Sequence, residues 1–218
     1  MPDLRIALTV TAETALSVGA AGSAGTLADT LIVRDGLGRP IIPGSQLKGK
    51  LRHAAEQFLR SLGHDIPSPF ELPPRSEQAT PIRTLFGSPQ QVSALRFADL
   101  ICDIDPHMAR LPGTNRVRPS VTINRRRGTA EDQHLLLRET AREGLVFQSD
   151  RAITGKLDSL AHAALLWAAL RLSDRWGGAK SRGLGWCSLN AQIYWDNTPM
   201  SVLQMAEALR TLGGSSYE

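Results

Sequence analysis

Cysteine, aromatic residues and long apolar runs are scarce in this chain, and each shortage removes a class of protein. Its 218 residues include two cysteines, Cys102 and Cys187. They stand far apart without a Cys-x-x-Cys spacing, which argues against a zinc knuckle or a disulfide scaffold and for two core thiols in a reducing compartment. No stretch of about 18 apolar residues could span a bilayer, and no basic-apolar-small segment opens the chain. A soluble, cytoplasmic protein is expected. Aromatic residues make up 5% of the chain, and Phe97 and Phe147 are isolated, so the stacking platform by which many domains hold single-stranded nucleic acid is missing. Acid is missing locally too. Residues 116 to 127 contain no Asp or Glu but hold Arg116, Arg118, Arg125, Arg126 and Arg127. Against a modest net charge of +4, this clustering suits a polyanionic partner, although a flexible solvated loop has the same composition.

What is present is organised around IIPGSQLKGKLR, residues 41 to 52. An extended segment ends at Pro43-Gly44, and Leu47, Leu51, Ala55, Phe58 and Leu62 follow at helical spacing. Ser45 is the expected N-cap, with the first turn beginning near Gln46. Lys48 and Arg52, four apart, share a face, and Lys50 adds a third cation. Beside the unpaired amides of a helix N-terminus they suit a phosphate; a solvated basic face on an amphipathic helix fits equally.

Around this motif the chain alternates strands and helices. Leu4, Ile6, Leu8 and Val10 alternate with Arg5, Ala7 and Thr9, the pattern of a strand with one buried face. Gly19, Gly22 and Gly25 mark a flexible loop before the short apolar run Leu31 to Val33, which Asp29 and Asp35 flank. The proline-rich residues 64 to 81 read as an insertion loop, and Ala94 to Cys102 as a strand. Residues 107 to 149 form a long basic, arm-like excursion, with 128 to 144 expected to be partly helical and a strand resuming at Leu145. Asp158 or Ser159 caps a second apolar helix through Leu172. It ends at GGAKSRGLG, residues 177 to 185, whose glycines can expose amides as an anion nest, with Lys180 and Arg182 beside it. A final strand follows from Trp186, then an amphipathic segment from Val202 to Leu212. The order is strand, helix, strand, excursion, strand, helix, strand. That is the βαββαβ pattern of an α+β, ferredoxin-like (RRM-like) domain occupying residues 1 to 218.

Several chemistries are disfavoured. GSQLKGK satisfies the spacing of a nucleotide-binding P-loop up to its lysine, but Leu51 stands where Ser or Thr would hold magnesium. His53, His64, His107, His134 and His162 fall on apparent helices or loops, and no nucleophile signature lies near them. Asp103 and Asp105 would need a third ligand to hold a metal.

IIPGSQLKGKLR, TLFG at 84 to 87, INRRRGTA at 123 to 130 and GGAKSRGLG occur in an order that resembles the RAMP superfamily. More narrowly, the chain is similar to the repeated backbone subunit of type III CRISPR effector complexes of prokaryotes. The resemblance implies a ferredoxin-like palm, a β-hairpin thumb at roughly 116 to 147, and filaments of such subunits along a CRISPR guide RNA with the other subunits of the complex. It implies guide-phosphate contacts from Ser45, Lys48, Lys50, Arg52, Gly178, Lys180, Ser181 and Arg182, and RNA contacts from Arg125, Arg126 and Arg127. It also implies that Asp29, in DTLIVRD, cuts a complementary target RNA with Mg2+ or another divalent cation, while Asp35 is structural. Some relatives lack this acid and only bind. Others are metal-independent nucleases that mature the guide, but none of the residues between Gly177 and Gly185 is the His or Tyr such an enzyme would use.

Overall fold

The computed structural model describes residues 1–20, 28–66, 80–109 and 113–213. Gly22, Gly25 and most of the proline-rich insertion lie outside the described residues. In chain order the elements are β1 (Asp3–Ala12), β2 (Gly19–Ala20), β3 (Leu31–Ile32), β4 (Ile41–Ile42) and α1 (Gly44–Ser61). There follow α2 (Pro81–Phe86), β5 (Leu95–Phe97), β6 (Leu100–Cys102), α3 (Pro106–Ala109), β7 (Asn115–Asn124), β8 (Thr129–Ala141) and β9 (Val146–Lys156). The chain continues through α4 (Leu160–Arg171), β10 (Cys187–Trp195), β11 (Thr198–Pro199) and α5 (Val202–Gly213).

The alternation in β1 does what its pattern predicts. Leu4, Ile6, Leu8, Val10 and Ala12 are buried, and they join the inner faces of α1 (Leu47, Leu51, Ala55) and α4 (Ala163, Leu166, Leu170) in one core. β1 runs between β9 and β10, antiparallel to both, and β9 pairs on its far side with β5 and β6, also antiparallel. Taking β5 and β6 together as the second palm strand, this is the expected βαββαβ order, with the excursion inserted between the second and third palm strands.

Four local expectations change. Ser45 does not cap α1. Pro43 holds the cap position in an extended conformation, with no side-chain cap, and its carbonyl accepts from the amides of Gln46 and Leu47. The strand from Ala94 to Cys102 is broken at Ala98-Asp99. The break has a use, because the Asp99 carboxylate accepts from the Gly44 amide at 2.8 Å. The amide-rich end of α1 therefore already holds an anionic group. Leu62 lies beyond the helix and is 39% exposed. Residues 129 to 141 form a strand rather than part of a helix. Their Ala, Glu, Gln and Leu favour helix in isolation, but pairing with β7 along the hairpin overrides propensity. A bulge at Gln133, φ +63, takes up the register shift between Val121 and Ile123. Ser159, not Asp158, caps α4, accepting from the Ala161 amide.

Candidate nucleic-acid interface

The glycine-rich loop lies between the palm helix and the thumb hairpin, and its shape is dictated at Gly177 and Gly185. At φ +74, a Cβ on Gly177 would stand 2.5 Å from the Ser17 carbonyl; at φ +82, one on Gly185 would meet the Trp176 carbonyl at 2.0 Å. No other residue fits there. Residues Lys180–Arg182 form a single 3-10 turn. Four amides of the expected nest are already engaged. The amides of Gly178, Arg182, Gly183 and Gly185 donate to carbonyls of Ser17, Ala179, Lys180 and Ala15. Ser181 is exposed on the turn. The loop's two cations stand at either end of the turn.

Those cations face different clefts. Lys180 lines a cleft of about 370 Å3 with Gln46, Gly49, Lys50 and His53, positions three or four apart on one face of α1. Burial, and then the charge of Lys180, hold the Lys50 ammonium below the usual lysine pKa. Two lysines at such range gain from an anion between them. Arg182 lines a second cleft with Arg118 and Arg138 at the base of the thumb.

Lys48 and Arg52 share the opposite face of α1. They line a third cleft, beside Gly87 to Arg96. The Lys48 Nζ lies 5.9 Å from the Phe97 ring centroid. Arg52 is engaged, its Nε donating to Glu56 at 2.8 Å and its Nη1 to the Gly87 carbonyl at 3.3 Å. Ser45 is exposed near the start of the helix. The cations of the opening motif are thus divided between two clefts rather than gathered into one.

Asp29 sits on the thumb. Its amide donates to the Leu137 carbonyl, and its Oδ2 accepts from the Leu137 amide at 2.7 Å. Oδ1 has no partner among the described residues, and the side chain is exposed. Thr30 continues along β8 by bonding to Leu137 and Glu139, so this segment adds a short third strand to the hairpin. Glu139 fastens it. This carboxylate, 7% exposed, accepts from the Ile32 amide at 3.0 Å, from Arg34 at 2.8 Å and from the Asn115 side chain. Burial alone would raise its pKa, but these donors hold it below the usual carboxylate range.

Arg125, Arg126 and Arg127 occupy the exposed turn at the thumb tip, where Asn124 Oδ1 accepts from the amides of Arg126 and Arg127. Asp35 closes a tight turn by accepting from Leu37 and Arg39. Asp105 accepts from the His107 amide.

A family model described as the RAMP superfamily matches residues 9–188. The chain belongs to the RAMP superfamily. It is thus one of a family of CRISPR-associated RNA-binding proteins, some of whose members cleave RNA. No curated protein matches it. In this RAMP protein the matched span contains Asp29, α1, the thumb and the glycine-rich loop, and stops before α5. Among its described residues no three His, Cys, Asp or Glu side chains group to hold a metal, and no helix is long and apolar enough to cross a membrane.

Sequence patterns alone missed Asp99, Arg138, Glu139 and the place of Gln46 on the face of α1 that faces Lys180; His53 was legible as a polar neighbour of Arg52 able to help hold RNA. Of the missed residues, only Glu139 left a signal. It ends the period-two run Leu135, Leu137, Glu139, where a charge on an apolar face calls for buried partners.

Proposed function

We propose that this RAMP protein is a guide-RNA-binding backbone subunit of a type III CRISPR interference complex that cuts complementary target RNA at regular intervals. Copies of the chain would line the guide, joined by the other subunits of the complex. The observation that carries the cutting role is the exposed Asp29 carboxylate, held by its backbone and by Oδ2 on the edge of the thumb hairpin. In the family the thumb wedges between bases and kinks the target, so a carboxylate on its edge lies where the backbone is bent. RNA supplies its own nucleophile, the 2′-OH, and the chain needs chiefly to align it with the phosphorus and to balance charge.

One free oxygen on Asp29 fits a Mg2+ held mostly by water and substrate phosphate, a common arrangement for this ion. Bound there, the ion would supply charge neutralisation at the phosphate. The same oxygen can accept the 2′ proton. Lys50 and Lys180, with Ser45, Lys48, Arg52, Gly178, Ser181, Arg182 and Arg125 to Arg127, make up the RNA-contacting set, and the paired lysines form a phosphate seat on the palm.

Asp29→Ala in the assembled complex should abolish cutting of a labelled complementary RNA while guide and target remain bound. Undiminished cutting by that variant would remove Asp29 from the mechanism. Absence of any cutting by the wild-type complex with added divalent cations would make the subunit purely structural.

A further inference from the structure

Three arginines line one cleft at the base of the thumb, and no Asp or Glu lines it with them. Arg118 and Arg138 face each other across the β7–β8 ladder, and Arg182 reaches the same cleft of about 190 Å3 from the glycine-rich loop. Arg34, Arg39, Arg52, Arg116 and Arg127 each pair with an acid. Among the described residues, Arg118, Arg138 and Arg182 form no salt bridge, although the exposed Glu143, paired with Arg116, also feels the charge of Arg118. Like charges directly opposite on a hairpin repel, and a third cation adds to the repulsion, so an anion in the cleft would relieve it. The cleft is also held in shape. Arg138 Nη1 donates to the Ser17 hydroxyl at 3.3 Å, and a Cβ on Gly178 would stand 3.4 Å from that nitrogen.

The place of the cleft indicates which phosphate it takes. Thr30 is bridged to Arg138, and Asp29 is bonded to the backbone of Leu137 beside it. The Lys50–Lys180 cleft opens on the palm side of the same loop. One loop therefore separates a lysine seat on the palm from an arginine seat whose Arg138 is bridged through its backbone to the residue after Asp29.

We propose that Arg118, Arg138 and Arg182 seat the target-strand phosphodiester that is cut at Asp29, binding its non-bridging oxygens and neutralising the charge that builds there. This rests on the RNA-cutting function proposed above. In the step they serve, the O2′–P bond forms as the P–O5′ bond breaks. The 2′ proton passes to Asp29 and a solvent proton to O5′, leaving a 2′,3′-cyclic phosphate and a 5′-hydroxyl. Guanidinium forks suit this better than ammonium groups, because two parallel donors match two phosphate oxygens.

Two measurements on the assembled complex test the assignment. In single-turnover cutting of pre-bound target, Arg138→Met or Arg118→Met should slow the reaction by about 100-fold, the usual effect of losing one donor to transition-state charge. Arg138→Lys, which keeps charge and fold but loses the fork, should fall between. Guide retention should change little. In the second measurement, a 2′-deoxy target carries one methylphosphonate at a time across a thumb interval. Wild type should lose roughly tenfold in affinity at one position, and Arg138→Met should lose nothing further there. Unchanged cutting by the methionine variants, or coupling to a guide phosphate instead of a target one, overturns the assignment. If the coupling appears but wild type cuts nothing, the arginine seat stands and the cutting role of Asp29 falls.

Discussion

Palm and thumb are held together by different physics. The palm is an apolar core in which β1, α1 and α4 bury aliphatic side chains almost completely. The thumb is a two-stranded ribbon whose Val117, Val121, Ile123 and Leu135 remain about half exposed or more, and a lone ribbon of this kind is marginal in water. What fixes it is polar. Asp29 and Thr30 pair along its edge, and Glu139 ties it to β3 and Arg34. A palm built by burial is tolerant of pH, whereas a thumb fastened in part by a buried carboxylate responds to charge.

The comparison can be broken or sharpened by experiment, beginning with the largest effect. Leu51→Ala opens a cavity in the palm core and should destabilise the chain by about 2–5 kcal/mol in denaturant unfolding. Val121→Ala on the exposed thumb should change stability by no more than about 0.5 kcal/mol. Equal effects would mean that the thumb has a core of its own.

Glu139→Ala should cost about 1–3 kcal/mol through unpaired donors, but locally. Amide exchange at Ile32 and along β8 should quicken while β1 stays protected. Acid should mimic it. Because the pKa of Glu139 is lowered in the folded chain, its contribution is complete above the ordinary glutamate range and is lost as pH falls through the folded-state value. Thumb amides should therefore lose protection, measured against the intrinsic exchange rate at each pH, below the ordinary glutamate range and before the palm unfolds.

The smallest effect concerns Lys50, whose pKa is lowered. Its charge disappears at lower pH than that of an ordinary lysine, so on raising the pH RNA affinity should begin to fall earlier than loss of an ordinary lysine charge would produce. Lys50→Arg, always charged, should remove that early fall, and Lys50→Ala should flatten the salt dependence by about one phosphate contact. An identical pH profile for Lys50→Arg would exclude Lys50 as a phosphate contact.

Much of the palm was legible in the sequence. The alternation in β1, the spacing of the α1 leucines and the apolar length of α4 follow from local periodicity, which burial on one face enforces residue by residue. The basic character of the thumb and the special conformation of GGAKSRGLG were legible for the same reason, since charge density and glycine are properties of a segment. Partnerships were not. Ser45 is a good cap by type, yet Pro43 took that place and Asp99, 55 residues on, bonds the first helical amide. Residues 129 to 141 carry helix-favouring side chains, and only their pairing with β7 makes them a strand. Lys48 and Lys50 look alike in sequence, but the helix turns them to different clefts.

The sequence by itself determined which residues are buried in the palm, where the chain is cationic and that Asp29 precedes the basic motif that opens α1. Only the tertiary structure decided that Asp29 is built onto the thumb, that Glu139 fastens it there, and that Arg118, Arg138 and Arg182 share one cleft. Periodicity reports the face a residue turns to its own element's neighbours. Hydrogen bonds and charge clusters between residues about a hundred positions apart depend on how those elements are brought together, and that is settled by folding of the whole chain.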